Sequence, residues 1–161
     1  MKPSLYKIES LTPGAFYLMP KPSGEWLRED IEYYAHTGIK HVVSLLEPNE
    51  ISELGLLREE DVCKEVGIFF TSFAIPDRHI PENDKFDTLV AKIAKNLNEG
   101  ISVAIHCRAG IGRSGLLACC ILKFIGLDSE KAISLVSEAR GLVIPDTRVQ
   151  VDFIHSFARS S

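Results

Sequence analysis

The sequence predicts an α/β fold in which a mostly parallel central sheet of about four to five strands carries helices on both faces. Three observations predict it. Apolar runs of strand length alternate along the chain with segments of helical period. One of these runs, Ile101 to Ile105, passes through a glycine-containing loop straight into the apolar helical segment from Gly115 to Leu122, so a loop opens at a strand's carboxyl end. The 161 residues, 45% of them hydrophobic, suit one domain with a full core spanning 1–161.

In chain order, Ala15 to Met19 reads as a first strand, and Glu25 to His36 as a helix ended by Gly38. His41 to Leu46 is the next strand. Glu53 to Val66 is charged with a periodic apolar face and reads as one helical tract stopped by Gly67, after which Ile68 to Phe73 is a strand. A loop from Ala74 to Pro81 follows. Asn83 or Asp84 caps a helix whose apolar face is Phe86, Leu89, Val90, Ile93 and Leu97, and Gly100 ends it before the strand 101–105. Two or three helices close the chain. The apolar stretch from Gly115 to Leu127 is interrupted by Lys123 and too short to span a bilayer, so it reads as a buried helix.

The chemistry concentrates in His106-Cys107-Arg108-Ala109-Gly110-Ile111-Gly112-Arg113-Ser114. Backbone N–H groups, a helix N-terminus and a nearby arginine all favour the thiolate of a cysteine placed there. Gly110 and Gly112 permit backbone conformations closed to other residues, so that successive N–H groups, from Arg108, Ala109, Gly110, Ile111 and Gly112, turn inward to one anion. Phosphate fits such a nest. Arg113, six positions after Cys107, can return over the loop and grip two phosphate oxygens. Ser114 begins the helix, where its hydroxyl can cap N–H groups or donate to the sulfur when the thiolate leaves. A Cys-x5-Arg spacing alone is common by chance; His before it, Ser after it and Gly within it make this match specific.

The segment resembles the signature loop of the cysteine-dependent protein tyrosine phosphatase superfamily, His-Cys-x-x-Gly-x-x-Arg-Ser/Thr, at every fixed position. The resemblance implies that Cys107 is the nucleophile that becomes a phosphocysteine, that Arg113 binds the phosphoryl group and that Ser114 assists breakdown of the intermediate. Such a mechanism needs an acid for the leaving oxygen. Asp77 lies thirty residues before Cys107, on a loop stiffened by Pro76 and Pro81 at a strand's exit, and aspartates at about this separation serve as the acid in compact members of the family. Asp84, Asp87 and Asp146 are rivals, each with a competing explanation at a helix start. Similar phosphatases can place the hydrolytic water with a glutamine from the region of Gln150; otherwise Gln150 is a surface residue in the first turn of a helix that buries Val149, Phe153 and Phe157.

His106, ending a strand, is read as a buried hydrogen-bonding residue that fixes the loop and tunes Cys107. Arg78 and His79 follow the acid, facing either substrate or solvent. Cys63, Cys119 and Cys120 have neither zinc-ligand spacing nor a disulfide pattern, and the two in the helix read as small core residues; a protective disulfide with Cys107 occurs in some similar enzymes. The start Met1 to Leu5 lacks the apolar core of a signal peptide, so a reducing, cytoplasmic setting is expected. Internal repeats and low-complexity segments are absent, and the only echo is Ile75-Pro76-Asp77 against Ile144-Pro145-Asp146.

The chain is much shorter than phosphatases dedicated to phosphotyrosine, and no aromatic-bearing loop near its start would build a deep slot. It resembles the dual-specificity group, and Ser44-Leu45-Leu46-Glu47-Pro48 with Glu53-Leu54-Gly55, and Ile75-Pro76-Asp77 further on, are similar to the branch of the kinase-associated phosphatase. That resemblance implies a phosphorylated protein or peptide as substrate, attacked at phosphotyrosine, phosphoserine or phosphothreonine. No metal or cofactor is expected, because thiolate, arginine and backbone dipoles supply the charge stabilisation. A phosphoinositide or inositol-phosphate phosphatase would favour lysines inside the cradle, where the only added cation is Arg108. A net charge of −4 argues against nucleic acid, hence against an RNA 5′-triphosphatase, and against a stable hold on an anionic membrane. A phosphate-binding module without activity would be expected to lack the cysteine or the acid, and both are here.

Overall fold

The computed structural model describes residues 2–82 and 84–158. Its strands are β1 (Tyr6–Ile8), β2 (Phe16–Met19), β3 (Ile39–Ser44), β4 (Phe69–Ser72) and β5 (Ser102–His106). Its helices are α1 (Leu27–Thr37), α2 (Pro48–Glu53), α3 (Glu59–Glu65), α4 (Phe86–Asn98), α5 (Gly112–Ile125), α6 (Ser129–Arg140) and α7 (Arg148–Ser156). The strands form one sheet in the order β1-β2-β5-β3-β4, parallel throughout except that β1 pairs antiparallel with β2. The mostly parallel α/β sheet expected from the sequence is therefore present, with β5 at its centre.

Alternation along the central strands feeds two cores. Phe16, Leu18, Val43, Val103 and Ile105 enter the larger one, filled from α4 to α7, while Met19, Val42 and Ala104 enter a smaller one filled by Leu27, Ile31 and Tyr34 of α1 and Val62 and Cys63 of α3. Helices thus cover both faces. Met19, His106, Ser44 and Ser72 lie level across the ladder, so β2, β5, β3 and β4 all release their chains at one edge of the sheet. Functional loops of parallel sheets gather at this edge.

Several local expectations are corrected. β1 escapes sequence patterning because three residues carry no usable periodicity; it exists by pairing with β2. The tract read as one helix from Glu53 is two. Pro48 and a reciprocal pair of bonds between Glu47 and Glu50 start α2 earlier, and Gly55, at φ +71°, breaks the chain after Leu54. At α4 the N-cap position belongs to Lys85, whose side chain makes no capping bond, so Asp84 is not the cap; Asn83 lies outside the described residues. Thr147, not Asp146, caps α7 by accepting from the Gln150 N–H. Val149 lies on the exposed side of that helix.

His41 ties the sheet to α4 and gives the fold a pH dependence. Its Nδ1 accepts from the Asn96 amide at 3.1 Å, which leaves Nε2 to donate to Thr71 Oγ1 at 2.9 Å. Burial, aided by the charge of Lys92, pushes this imidazole down to about 4. The unfolded chain takes up a proton that the folded one refuses, so the contribution is complete above the ordinary histidine range near pH 6.5 and is lost as pH falls towards 4. The loss amounts to about 3 kcal/mol. Urea denaturation at pH 7 and pH 4 should show wild type losing about that much more than His41→Gln; equal losses would remove His41 from the account.

Candidate active site

The pleat of β5 sends successive side chains to opposite faces. His106 turns towards α3, and Cys107 joins the core beneath α4 and α5. The chain then makes the loop 107–111 and enters the fourteen-residue α5 at Gly112. Gly110 has a φ of +75°, and a Cβ on it would stand 2.5 Å from the Met19 carbonyl oxygen, so both conformation and space demand glycine. Gly112 is different. It is helical, and a Cβ there would meet Asp146 Oδ1 at 2.5 Å and the Gln150 amide at 3.1 and 3.2 Å, so a larger residue would displace these side-chain ends.

Arg113 is almost wholly buried and is held by three parts of the chain. Its Nη1 donates to Glu50 Oε1 at 2.7 Å and Nη2 to Glu50 Oε2 at 3.0 Å, the paired geometry that suits a guanidinium. Nη1 also donates to the carbonyls of Ile75 and Leu45, at 3.0 and 3.5 Å, and Nη2 lies 3.3 Å from Asp77 Oδ1. Burial opposes its charge, but the Glu50 bonds and the negative charges of Cys107, Glu50 and Asp77 prevail, holding it protonated more firmly than an ordinary arginine. Burial likewise opposes the Glu50 carboxylate; bonds from Arg113, the Glu47 N–H and Arg108 overcome this and bring it down to about 2.

Glu50 is a site residue that sequence reasoning missed. Its visible signal was the bond with Glu47 at the start of α2, which suggests a helix cap and nothing more. Glu59 was missed as well. Its Oε2 accepts from His106 Nε2 at 2.6 Å with both groups buried, and His106 Nδ1 sits 3.2 Å from the Cys107 carbonyl oxygen. His106 is thus buried and hydrogen-bonded to Glu59, beside the Cys107 peptide.

Asp77 reaches the loop through a turn closed by the His79 N–H on the Pro76 carbonyl, with Arg78 at φ +64° as its third residue. Its carboxylate is largely exposed apart from the Arg113 contact. The Asp77 loop is joined to α7 and to the turn before it: Gln150 Nε2 donates to the His79 carbonyl at 3.1 Å, and Arg78 lies 3.7 Å from Asp146. Both copies of Ile-Pro-Asp therefore arrive at the same loop. Gln150 is fully buried rather than on the surface, and its Oε1 has no hydrogen-bond partner among the described residues.

Ser114 departs from expectation. It is the third helical residue rather than the first, and its buried hydroxyl has no hydrogen-bond partner among the described residues, so it does not cap the helix. The Arg108 side chain turns away to Glu50 and Glu53, at 3.3 and 3.7 Å, leaving its peptide in the loop. All four cysteines are free. Burial pushes the Cys63 and Cys119 thiols up to about 12 and Cys120 further still, as befits unreactive core thiols.

Comparison with known proteins gives a consistent result. Residues 6–155 match the family model described as a Swiss Army Knife protein, DSP-PTPase phosphatase domain. Over 152 residues, 88% of this chain, the sequence is 31% identical to mouse protein tyrosine phosphatase domain-containing protein 1, of which it spans only 20%. It is 26% identical to rat cyclin-dependent kinase inhibitor 3, covering 81% of this chain and 63% of that one. A crystal structure of kinase associated phosphatase, its catalytic site cysteine replaced by serine, superposes with a TM-score of 0.89 at 20% identity, covering 98% of this chain and 94% of that one. The active form of Tk-PTP gives 0.78 at 25% identity, covering 98% and 97%.

Proposed function

Because this chain belongs to the DSP-PTPase phosphatase domain family, the compact dual-specificity type of cysteine-dependent phosphatase, we propose that it hydrolyses phosphotyrosine and phosphoserine/threonine monoesters in proteins through a phosphocysteine. The observation that carries the reading is the meeting of Asp77 with Arg113 at 3.3 Å, which puts an acid beside the phosphate-gripping residue of the Cys107 loop.

In the first step the Cys107 sulfur attacks phosphorus, an S–P bond forms and the P–O bond to the leaving group breaks, while Asp77 gives that oxygen its proton. The N–H groups of residues 108–112 and the Arg113 guanidinium stabilise the equatorial oxygens of the transferring group. In the second step water attacks phosphorus, Asp77 takes its proton, and the S–P bond breaks to return the thiolate and release phosphate. The orphaned Oε1 of Gln150, beside Gly112, supports a role in accepting from that water, and the orphaned Ser114 hydroxyl supports donation to the departing sulfur. The pairing of Arg108 with Glu50 and Glu53 favours a protein substrate over a phosphoinositide, because the loop's one extra cation is already neutralised. The whole 1–161 segment acts as one phosphatase domain in the cytoplasm. Among the described residues no helix is long and apolar enough to cross a membrane.

The test pairs a substrate panel with a leaving-group series. Wild type should release phosphate from phosphotyrosine and phosphoserine/threonine peptides faster than from phosphoinositides or 5′-triphosphate RNA. Selective turnover of lipid or RNA would overturn the substrate class, and no turnover at all would leave a phosphate-binding module. Asp77→Asn should slow an alkyl phosphate about a hundredfold and an activated aryl phosphate far less, since a good leaving group needs no proton. Equal slowing of both would take the acid role from Asp77.

A further inference from the structure

The carbonyls on the outer side of the signature loop are held by hydrogen bonds, and two of the four are held by one residue on a different helix. Arg140, the last residue of α6, donates from Nε to the Gly110 carbonyl and from Nη2 to the Ala109 carbonyl, each at 3.2 Å. Its guanidinium lies over the Tyr6 ring, 4.2 Å from the centroid. The neighbouring carbonyls are occupied too. Arg108 O accepts from the Lys21 N–H at 3.3 Å, and Ile111 O from the Gly115 N–H at 3.0 Å.

Peptide planarity turns this outer clamp into an inner one. Across a trans peptide the carbonyl and the next N–H point in opposite directions, and the cis bond of the described residues is elsewhere, at Ile144-Pro145. Carbonyls of residues 109 and 110 held outward therefore aim the N–H groups of Gly110 and Ile111 inward. Arg140 is suited to this as lysine is not, because its planar fork meets two successive acceptors from one fixed orientation. Tyr6 keeps that plane in place. The short β1, pairing antiparallel at the sheet margin, gains a purpose: it brings the aromatic platform to the back of the loop.

We propose that Arg140, braced on Tyr6, is a positioning residue that presets the anion-binding N–H groups of the Cys107 loop; this rests on the phosphatase reading above. Loosening two donors should weaken phosphate binding in the ground state and the transition state alike, so the effect falls on KM and on inhibition by inorganic phosphate more than on kcat.

The experiment measures the inhibition constant of inorganic phosphate, with KM and kcat for an aryl phosphate, in wild type, Arg140→Ala, Arg140→Lys and Tyr6→Leu, below the melting midpoint of each. In Arg140→Ala the phosphate constant and KM should rise about tenfold, with a smaller fall in kcat, and millimolar guanidinium should restore affinity in that variant and not in wild type. Arg140→Lys should fall between, and Tyr6→Leu should raise both constants a few-fold. A residue that merely stabilised the fold would lower active protein without moving either constant. Unchanged phosphate affinity in a folded Arg140→Ala protein overturns the proposal alone. A wild type that binds no phosphate and turns over no substrate overturns the phosphatase reading and this proposal with it. Should Arg140→Ala fail to fold, Tyr6→Leu reads the same constants with the arginine in place, and no change there overturns the proposal.

Discussion

Cys107→Ser lowers phosphate release by at least about 10⁴-fold while leaving the fold and phosphopeptide binding intact. The size follows from dividing the work of the site. A serine hydroxyl is a far weaker nucleophile than sulfur and attacks poorly without a base to take its proton. The N–H groups of the loop and the Arg113 guanidinium are untouched by the exchange, so the phosphoryl group still finds its cradle. Serine is close in size to cysteine, and the side chain sits in a nearly closed position, 3% exposed, so repacking is small. The check is a single-turnover assay of phosphate release beside a binding isotherm for the same phosphopeptide. Release that persists in the variant would mean that phosphorus is attacked by something other than this sulfur.

Arg113→Lys is the next largest, an expected loss of about 10³-fold in kcat/KM shared between binding and rate. One ammonium cannot meet both oxygens of Glu50, the carbonyls of Ile75 and Leu45 and the Asp77 carboxylate, which the guanidinium does at once. The variant also leaves a buried carboxylate half-paired, which costs stability as well as activity. Glu50→Gln separates the two effects, since it keeps the shape and one acceptor but removes the charge that fixes Arg113. Its kcat/KM should fall about ten- to a hundredfold, less than for Arg113→Lys. Its stability should also respond differently to acid. Pairing holds the Glu50 carboxyl at about 2, below the usual carboxylate range, so its contribution is complete above about pH 4.5 and is lost as pH falls towards 2. Wild type should lose stability across that window relative to Glu50→Gln, and parallel acid profiles would show that the pair does not hold the site together.

The parts of this protein that its sequence states are those written in a few consecutive residues or in a regular period. The apolar runs and the helical faces predicted the alternation of elements, and His106 through Ser114 spelled out the loop, its cysteine and its arginine. The approach of Asp77 to Arg113 was legible because the loop's expected chemistry asked for a carboxyl group at a strand's exit and the chain offered one. Glu50 and Glu59 were not, since a carboxylate in a polar helical tract reads as solvated surface until packing buries it against Arg113 of α5 or His106 of β5. Gln150 failed in the same direction: its own turn of helix reads as surface, and only the closeness of α7 to Gly112 makes it interior.

Tertiary structure alone decided how the site is held. It joined Glu50 to Arg113, Glu59 to His106, Arg140 to the backs of Ala109 and Gly110, and α7 to the Asp77 loop. None of these pairs shares a local period or a motif, because each joins groups brought together by the crossing of separate elements. Local sequence sets backbone conformation and the identity of the reacting groups. Their orientation is set by long-range packing, because polar groups folded out of water must find their partners wherever the chain has put them.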